Sequence, residues 1–432
     1  MTANLNRYGA RLKALTAGPL LRGLAAYGGA ELANRAVRLV ATVVIARQLA
    51  PAIVGEAALV LTVFELVRVL ARTGVGQRII ACEAADLDAV CNTAHRLFWQ
   101  WSLVLVAVQL AVAALLAFGF GRSQGGAMLA VLALVYPLMP GGLVQCHLAM
   151  REVRNGRMAR TAATQAIADH ILTAALLLIW ASPWSIILPK LLTAPIWLVM
   201  TRRTRPWSPN VAAGHVPLGD MLRFSSGVLA AEALAALRSQ GDNLIIAATM
   251  GTAALGTYYF AYNAGIGIVS SLVGAFGTVA FPLLCKAAAG IDRRAALKRI
   301  VLGGGVVFVP LIAAQSLLAP LYVPVVFGAH WAFAAPLIAV LCLAGLPLLA
   351  STLTTTWLRA EGRTGIDASS SLASCIAALG GLAVGTTFGS LEAAVIGLVT
   401  GHTLVAAFFA HRILVPALKA GRTETSLKEQ LA

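Results

Sequence analysis

Acidic side chains are scarce in this sequence. Of 432 residues, 17 are Asp or Glu against 33 Lys or Arg, and charged residues of both signs make up only 12%, where ordinary soluble domains carry about 25%. That shortage excludes a chain that meets water over its whole surface. The six cysteines (Cys82, Cys91, Cys146, Cys285, Cys342 and Cys375) show no metal-ligand spacing, and none falls in an expected external loop. A zinc site and a disulfide framework are therefore not expected. No Walker motif is present, and GVGQRI (74–79) lacks the following glycine of a dinucleotide fingerprint, so the sequence supports neither ATP as direct energy source nor a nucleotide cofactor. The D-x-D of ADLDA (85–89) is a lone match in a short loop, too little to place a glycosyltransferase metal. The histidines are scattered, and His147 and His402 read as hydrogen-bonded residues within spans.

Long apolar runs fill the chain instead. It is 59% hydrophobic with a mean hydropathy of +0.83, and the period-two alternation of barrel strands is missing. Only helices satisfy every backbone group inside one segment in hydrocarbon. The predicted fold is therefore an all-α integral membrane protein. A span needs about 20 residues, which leaves room for about 12 transmembrane helices. They are placed at 23–46, 53–71, 97–119, 126–149, 161–180, 184–201, 222–250, 254–283, 300–321, 332–358, 366–388 and 391–413. The first span begins late and no small-residue cleavage site follows a short apolar core, so no removable signal peptide is expected.

Lys and Arg fix the orientation. With the N-terminus inside, the runs Arg151–Arg160, Arg202–Arg205 and Lys286–Arg299 all fall in internal loops, while Arg47 and Arg122 fall outside. Both termini are thus expected to be cytoplasmic. The net charge of +16 is spread over loops that face anionic membrane lipids, not gathered into an aromatic-laced patch, so no nucleic acid partner is expected. The Pro- and Arg-rich stretch TRRTRPWSPNVAAGHVPLGD (201–220) lies at the midpoint and reads as a linker. The expected domains are a basic N-terminal segment (1–22), an N-lobe of six spans (23–201), a linker (202–221), a C-lobe of six spans (222–413) and a tail (414–432). An offset of 201 residues sets Glu31 on Glu232, Ile45–Ala46 on Ile246–Ala247 and Gly55 on Gly256. Such a match fits a parallel repeat, or chance, since the identities are few.

The stretches VVIARQLAPAIVGEAALV, RTGVGQRII, GDNLIIAATMGTAALGTYYFAY and LRAEGRT resemble the lipid-linked polysaccharide-repeat flippases of the multidrug/oligosaccharidyl-lipid/polysaccharide exporter superfamily. Ala50 replaces the glycine usual after the Arg-x-Leu, and Val54 stands where an aromatic is common before Gly55. The resemblance implies a transporter of two six-helix lobes and no enzyme. Its substrate would be an undecaprenyl-diphosphate-linked oligosaccharide, flipped from the cytoplasmic to the periplasmic leaflet by alternating access for O-antigen, capsule or exopolysaccharide synthesis. Polysaccharide polymerase and chain-length proteins would be its partners. Cofactors are not expected; coupling to H+ or Na+ stays open.

Ionisable groups within the spans are the candidate site residues. A charge near a helix centre costs about 2.5–3.5 kcal/mol on insertion scales. In the first span Glu31, Arg35, Arg38 and Thr42 fall within roughly a 60° arc, so this face should look into a watery cavity. Glu31 can pair with Arg35 one turn away, leaving Arg38 to meet a diphosphate through the bidentate fork of its guanidinium. An ion-pair ladder that only fixes packing is the alternative. Further candidates for substrate binding are Glu65 and Arg68 in span two, Lys190 in span six, and Glu232, Arg238 and Asp242 in span seven, where Arg238 and Asp242 have the spacing of an i,i+4 pair. Asp169 and His170 in span five join a carboxylate to a group that titrates near neutrality, the chemistry of an ion-coupling site. Glycine runs such as GIGIVSSLVGAFG (265–277) read as close helix packing.

Two other functions stay open on sequence alone: a drug or cation extruder of the same superfamily, and a membrane polymerase or ligase of lipid-linked sugars. The first would want an acidic, aromatic cavity, and the second a sizeable periplasmic loop. Reporter fusions after residue 122 and within 183–185 are expected to report outside, and fusions within 204–216 to report cytoplasm; a periplasmic signal from 204–216 would overturn the twelve-span topology.

Overall fold

The computed structural model describes residues 19–71, 74–152, 154–287 and 291–430. The basic segment expected over 1–22 lies outside the described residues as far as residue 18. Helices dominate, and no strand occurs among the described residues. In order they are α1 (Pro19–Gln48), α2 (Pro51–Val69), α3 (Val75–Ala81), α4 (Leu87–Ala114), α5 (Ser123–Leu132), α6 (Pro140–Arg151), α7 (Asn155–Ile179), α8 (Trp184–Leu192) and α9 (Ala194–Thr204). After them come α10 (Leu218–Ala264), α11 (Ile266–Lys286), α12 (Ile291–Leu317), α13 (Ala319–Phe327), α14 (Ala335–Leu343), α15 (Gly345–Ala360), α16 (Thr364–Thr386) and α17 (Leu391–Gln430). The protein is an all-α membrane protein.

Nine helical segments among the described residues are long and apolar enough to cross a membrane, or ten when the bent pair Ser123–Leu138 and Pro140–Arg151 is taken as one span. These fall where spans three to twelve are expected. Helices α1 and α2 occupy the places of the first two and carry more charge. The breaks have local causes. Pro137 and Pro140 supply no backbone N–H, and the chain bends by 54° between them, as loss of a helical donor allows. Gly251, at φ 85° and ψ 177°, divides α10 with a backbone conformation that a side chain would oppose.

The chain forms two compact units, the first of residues up to Gln48 with Val60–Leu237, the second of Leu49–Leu59 with Arg238 onward. In the first unit α3, α4 and α6 enclose a core of Val75, Ile79, Val90, Phe98, Val144 and Leu148. Arg151 closes α3: its guanidinium donates to the carbonyls of Ile79 (3.0 Å), Ile80 (3.0 Å) and Cys82 (2.7 Å), groups that a helix end leaves without partners. GVGQRI therefore enters a short packed helix.

Within the segment that reads as a linker (202–221), the stretch 205–216 is tied down. Asn92 is buried and donates to the carbonyls of Asn210 (2.7 Å) and Gly214 (2.9 Å), while its own oxygen accepts from the N–H of Asn210 at 3.2 Å. Asp88, from the D-x-D, accepts from Asn210 Nδ2 at 2.8 Å. Trp207 and Val216 pack on the core just described. Pro and Arg content marked the segment as irregular backbone but not where its polar groups are satisfied.

In the second unit Val269, Val273, Ile312, Leu349, Leu353 and Trp357 are buried together. Helices α16 and α17 approach closely along Ala377, Gly381 and Gly385 facing Ala393, Gly397 and Gly401, where an added Cβ on any of the glycines would meet the opposite backbone. This is small-residue packing between membrane helices. The run 265–277 behaves differently. A Cβ on Gly274 would meet nothing within 4 Å, and one on Gly277 only the methyl of Thr352, because both glycines border a cavity. Gly55 and Gly256, matched by the 201-residue offset, touch each other within the second unit.

Asn92→Ala would leave two carbonyls and an N–H of the strap without a partner. A destabilisation of about 1–3 kcal/mol is expected, read as a lower thermal midpoint and as faster chymotryptic cleavage after Trp207; an unchanged cleavage rate would show that Asn92 does not hold the strap.

Candidate functional site

In the first unit α7 packs along α1 and against α8, and this packing gathers residues that are far apart in sequence. Asp169 on α7 is 6% exposed, and its Oδ2 accepts from Lys190 Nζ on α8 at 2.5 Å. The other oxygen, Oδ1, is buried with no hydrogen-bond partner among the described residues. Thr173 turns its hydroxyl onto the carbonyl of Asp169 at 2.8 Å and so does not reach the carboxylate. His170 is half-buried beside this pair, within the electrostatic reach of Asp169, Lys190 and Arg38. Three spans thus bring together Arg38, Asp169, His170 and Lys190. The sequence offers Lys190 as a substrate ligand and Asp169 as an ion-coupling group; the structure joins them in one ion pair.

Arg35 and Arg38 are both half-buried on α1, beside the exposed Leu39 and Val40. Thr42, expected on the polar face, turns its hydroxyl inward onto the carbonyl of Arg38 at 2.9 Å. The expected pair of Glu31 with Arg35 lies outside the described residues, since only the helical backbone of Glu31 is described. Glu65 and Arg68 pair on α2: Oε2 accepts from Nη2 at 2.6 Å and from Nε at 2.9 Å. At 30% and 40% side-chain exposure such a pair contributes modestly to stability, since water screens it. Their charges act on Tyr136, a fully buried residue whose hydroxyl donates to Gln109 Oε1 at 3.3 Å, while Gln109 donates to the carbonyl of Leu129 at 3.1 Å. Gln109 and Tyr136 are uncharged and did not stand out in sequence; a lone Gln within an otherwise apolar span was the available signal.

In the second unit the spacing of Arg238 and Asp242 does not produce a pair. Instead the fully buried Tyr258 donates its hydroxyl to Asp242 Oδ2 at 2.7 Å, and the N–H of Asn243 donates to Oδ1 at 2.8 Å. Proximity along a helix allows an ion pair, but a hydroxyl pointing at the same oxygen from within the core takes precedence here. Glu232 is half-buried on the same helix and belongs to the first unit. The LRAEGRT stretch turns between α15 and α16 at Gly362 (φ 73°). Arg359 donates from Nε to the buried Asp367 at 2.7 Å, and Arg293 pairs with Glu361 at 3.0 Å. A cavity of about 820 Å³ opens inside this unit, bordered by Arg238, Asp242, Arg359 and His402 and by many hydroxyls; it did not stand out in the sequence, because Ser and Thr residues on α11, α15 and α16 carry no charge signal. No cluster of His, Cys, Asp or Glu among the described residues could hold a metal ion.

The model of the polysaccharide biosynthesis protein family matches residues 44–336. This chain belongs to that family. Among curated relatives, the family member is 23% identical over 387 residues to the succinoglycan biosynthesis transport protein ExoT of Rhizobium meliloti, covering 85% of this chain and 75% of the relative. Among solved structures it is similar to the lipid II flippase MurJ, with a TM-score of 0.69 at 12% identity over 91% of this chain and 89% of that one. It is also similar to an inward-facing multidrug resistance MATE family transporter of the MOP superfamily, with a TM-score of 0.60 at 16% identity over 92% and 96% of the two chains. These likenesses establish the exporter fold expected from the sequence.

The Asp169–Lys190 pair makes a stability test available. Removing one partner of a buried ion pair leaves a charge without compensation at a cost of about 3–5 kcal/mol, reduced here because Lys190 is one-third exposed. Asp169→Ala is expected to lower the thermal midpoint in detergent, and Asp169→Ala combined with Lys190→Met to recover most of the loss; equal midpoints for the single and double variants would show that the pair contributes nothing.

Proposed function

We propose that this member of the polysaccharide biosynthesis protein family flips an undecaprenyl-diphosphate-linked oligosaccharide across a bacterial inner membrane, from the cytoplasmic to the periplasmic leaflet, for surface polysaccharide synthesis. The observation that carries the reading is the meeting of two cations in the first unit, Lys190 on the buried Asp169 carboxylate and Arg38 beside the neighbouring His170, within spans where charge is costly. A diphosphate head group that enters an apolar protein needs such cations. The names of the curated relative and of the flippase with a similar fold point the same way.

In this reading Arg35 and Arg38 take the diphosphate by bidentate hydrogen bonds. Lys190 has two acceptors to choose between, Asp169 and the substrate, so arrival of the anion would release the carboxylate. Asp169, with one oxygen that has no partner among the described residues, then becomes a place for a proton or sodium ion, and His170 lies beside it. Glu65 with Arg68, and Glu232 with Arg238 and Asp242, are assigned to the remaining polar contacts. Both termini face the cytoplasm, and a polysaccharide polymerase and chain-length proteins act next on the exported unit. The proposal assigns no catalysed bond change and no bound cofactor.

Deletion of the gene should cause a lipid-linked intermediate to accumulate on the cytoplasmic face. Arg38→Ala is expected to lower export about 10-fold or more at unchanged membrane abundance, the effect of losing a hydrogen bond to a charged group. Arg38→Lys should restore only part, since an ammonium keeps the charge without the fork. Normal export by Arg38→Ala at normal abundance would remove Arg38 from the site.

A further inference from the structure

The cavity of the second unit is chemically unlike the charge cluster of the first. Ten of the 27 residues that border it are Ser or Thr. Several of these hydroxyls spend their proton within their own helix: Thr278 on the carbonyl of Ala275 (2.7 Å), Thr352 on Leu348 (2.8 Å), Thr354 on Ala350 (2.8 Å) and Ser270 on Gly267 (3.1 Å). A hydroxyl that donates inward still has lone pairs to offer, so these oxygens act toward a ligand as acceptors. The ligand they suit brings many O–H donors.

Charge narrows the class further. Arg359 is already paired with Asp367 at 2.7 Å, and Asp242 borders the cavity together with Arg238. With Arg238 and Asp242 as the remaining charges, the border carries little net positive charge to attract a polyanion such as a diphosphate. The guanidinium of Arg238 nevertheless supplies donors for neutral oxygens. Tyr262, Phe281 and Phe409 add aromatic surface, suited to the C–H face of a ring. The volume of about 820 Å³ lies within the roughly 300–1,000 Å³ of small-molecule sites. Gly274 leaves one wall open, with nothing within 4 Å of where a Cβ would stand. Hydroxyl acceptors, a donating guanidinium, aromatic faces and little net charge are what an uncharged sugar presents its complement to.

We infer that this cavity is a carbohydrate subsite that holds uncharged sugar rings of the substrate's glycan. The inference rests on the flippase reading and extends it by naming the part of the substrate that this cavity takes.

The test compares two lipids on the full chain in nanodiscs. One is the undecaprenyl-diphosphate oligosaccharide extracted from a strain lacking this gene; the other is undecaprenyl diphosphate without sugar. Each is titrated in sodium and in sodium-free buffer. Gly274→Leu fills the cavity from a position with room for a side chain, and is expected to weaken binding of the glycolipid about 10-fold or more. Thr355→Val and Ser371→Ala, which remove a hydroxyl with little change of shape, are expected to weaken it about 2–10-fold each, the effect of one hydrogen bond. The sugar-free lipid should bind all variants as it binds the unmodified protein. Equal weakening of both lipids, or no weakening of the glycolipid by any variant at preserved thermal midpoint, would overturn the subsite. A loss confined to sodium buffer and shared by both lipids would assign the cavity to a cation instead. Failure of the unmodified protein to bind either lipid would overturn the flippase reading, and the subsite with it.

Discussion

Hydrocarbon offers an ionised group no water, so a charge placed in a membrane span must find its partner within the protein. The buried carboxylate of Asp169 depends on this, with the ammonium of Lys190 2.5 Å away on the next helix. For that bond to form, α7 and α8 must lie side by side, and α1, packed along α7, brings Arg38 close enough to act on His170. A pair of this kind does not by itself make the fold stable, because desolvation opposes the attraction. What it does is specify: it rejects arrangements of the helices that leave either charge alone.

Backbone groups obey the same rule. Where helices break, their ends are satisfied by side chains reaching from elsewhere: Arg151 on three carbonyls after α3, and Asn92 on the strap at 205–216. Where helices run unbroken, they can approach to backbone contact, as α16 and α17 do along their glycines and alanines. Lipid chains are as apolar as the helix surfaces, so this close packing, not exclusion of water, is what holds the helices together.

The two units carry different chemistry. In the first, an ammonium meets a buried carboxylate and a guanidinium stands near the histidine beside it; in the second, charges are partly compensated and hydroxyls line a cavity. A lipid-linked oligosaccharide has the same division, with a polyanionic linkage and a polyhydroxylated glycan.

Composition and pattern together determined the all-helical membrane class: 59% hydrophobic and 12% charged residues call for a membrane, and without the alternation of barrel strands only helices satisfy the backbone there. Span positions followed from hydropathy, since each stretch meets the bilayer on its own account and needs no neighbour to define it. The ionisable candidates Arg38, Asp169, His170 and Lys190 were also legible, because a charge inside an apolar run stands out. Their partners were not. Arg238 and Asp242 sit one helical turn apart, yet Asp242 bonds Tyr258, and Lys190 meets Asp169 from 21 residues away. Helical spacing says which residues can share a face; only the packing of one helix on another decides which groups come within hydrogen-bonding distance. For the same reason the hydroxyl-lined cavity was invisible in the sequence: it is made of ordinary Ser and Thr residues on separate helices, and becomes a site only when tertiary structure turns them toward one space.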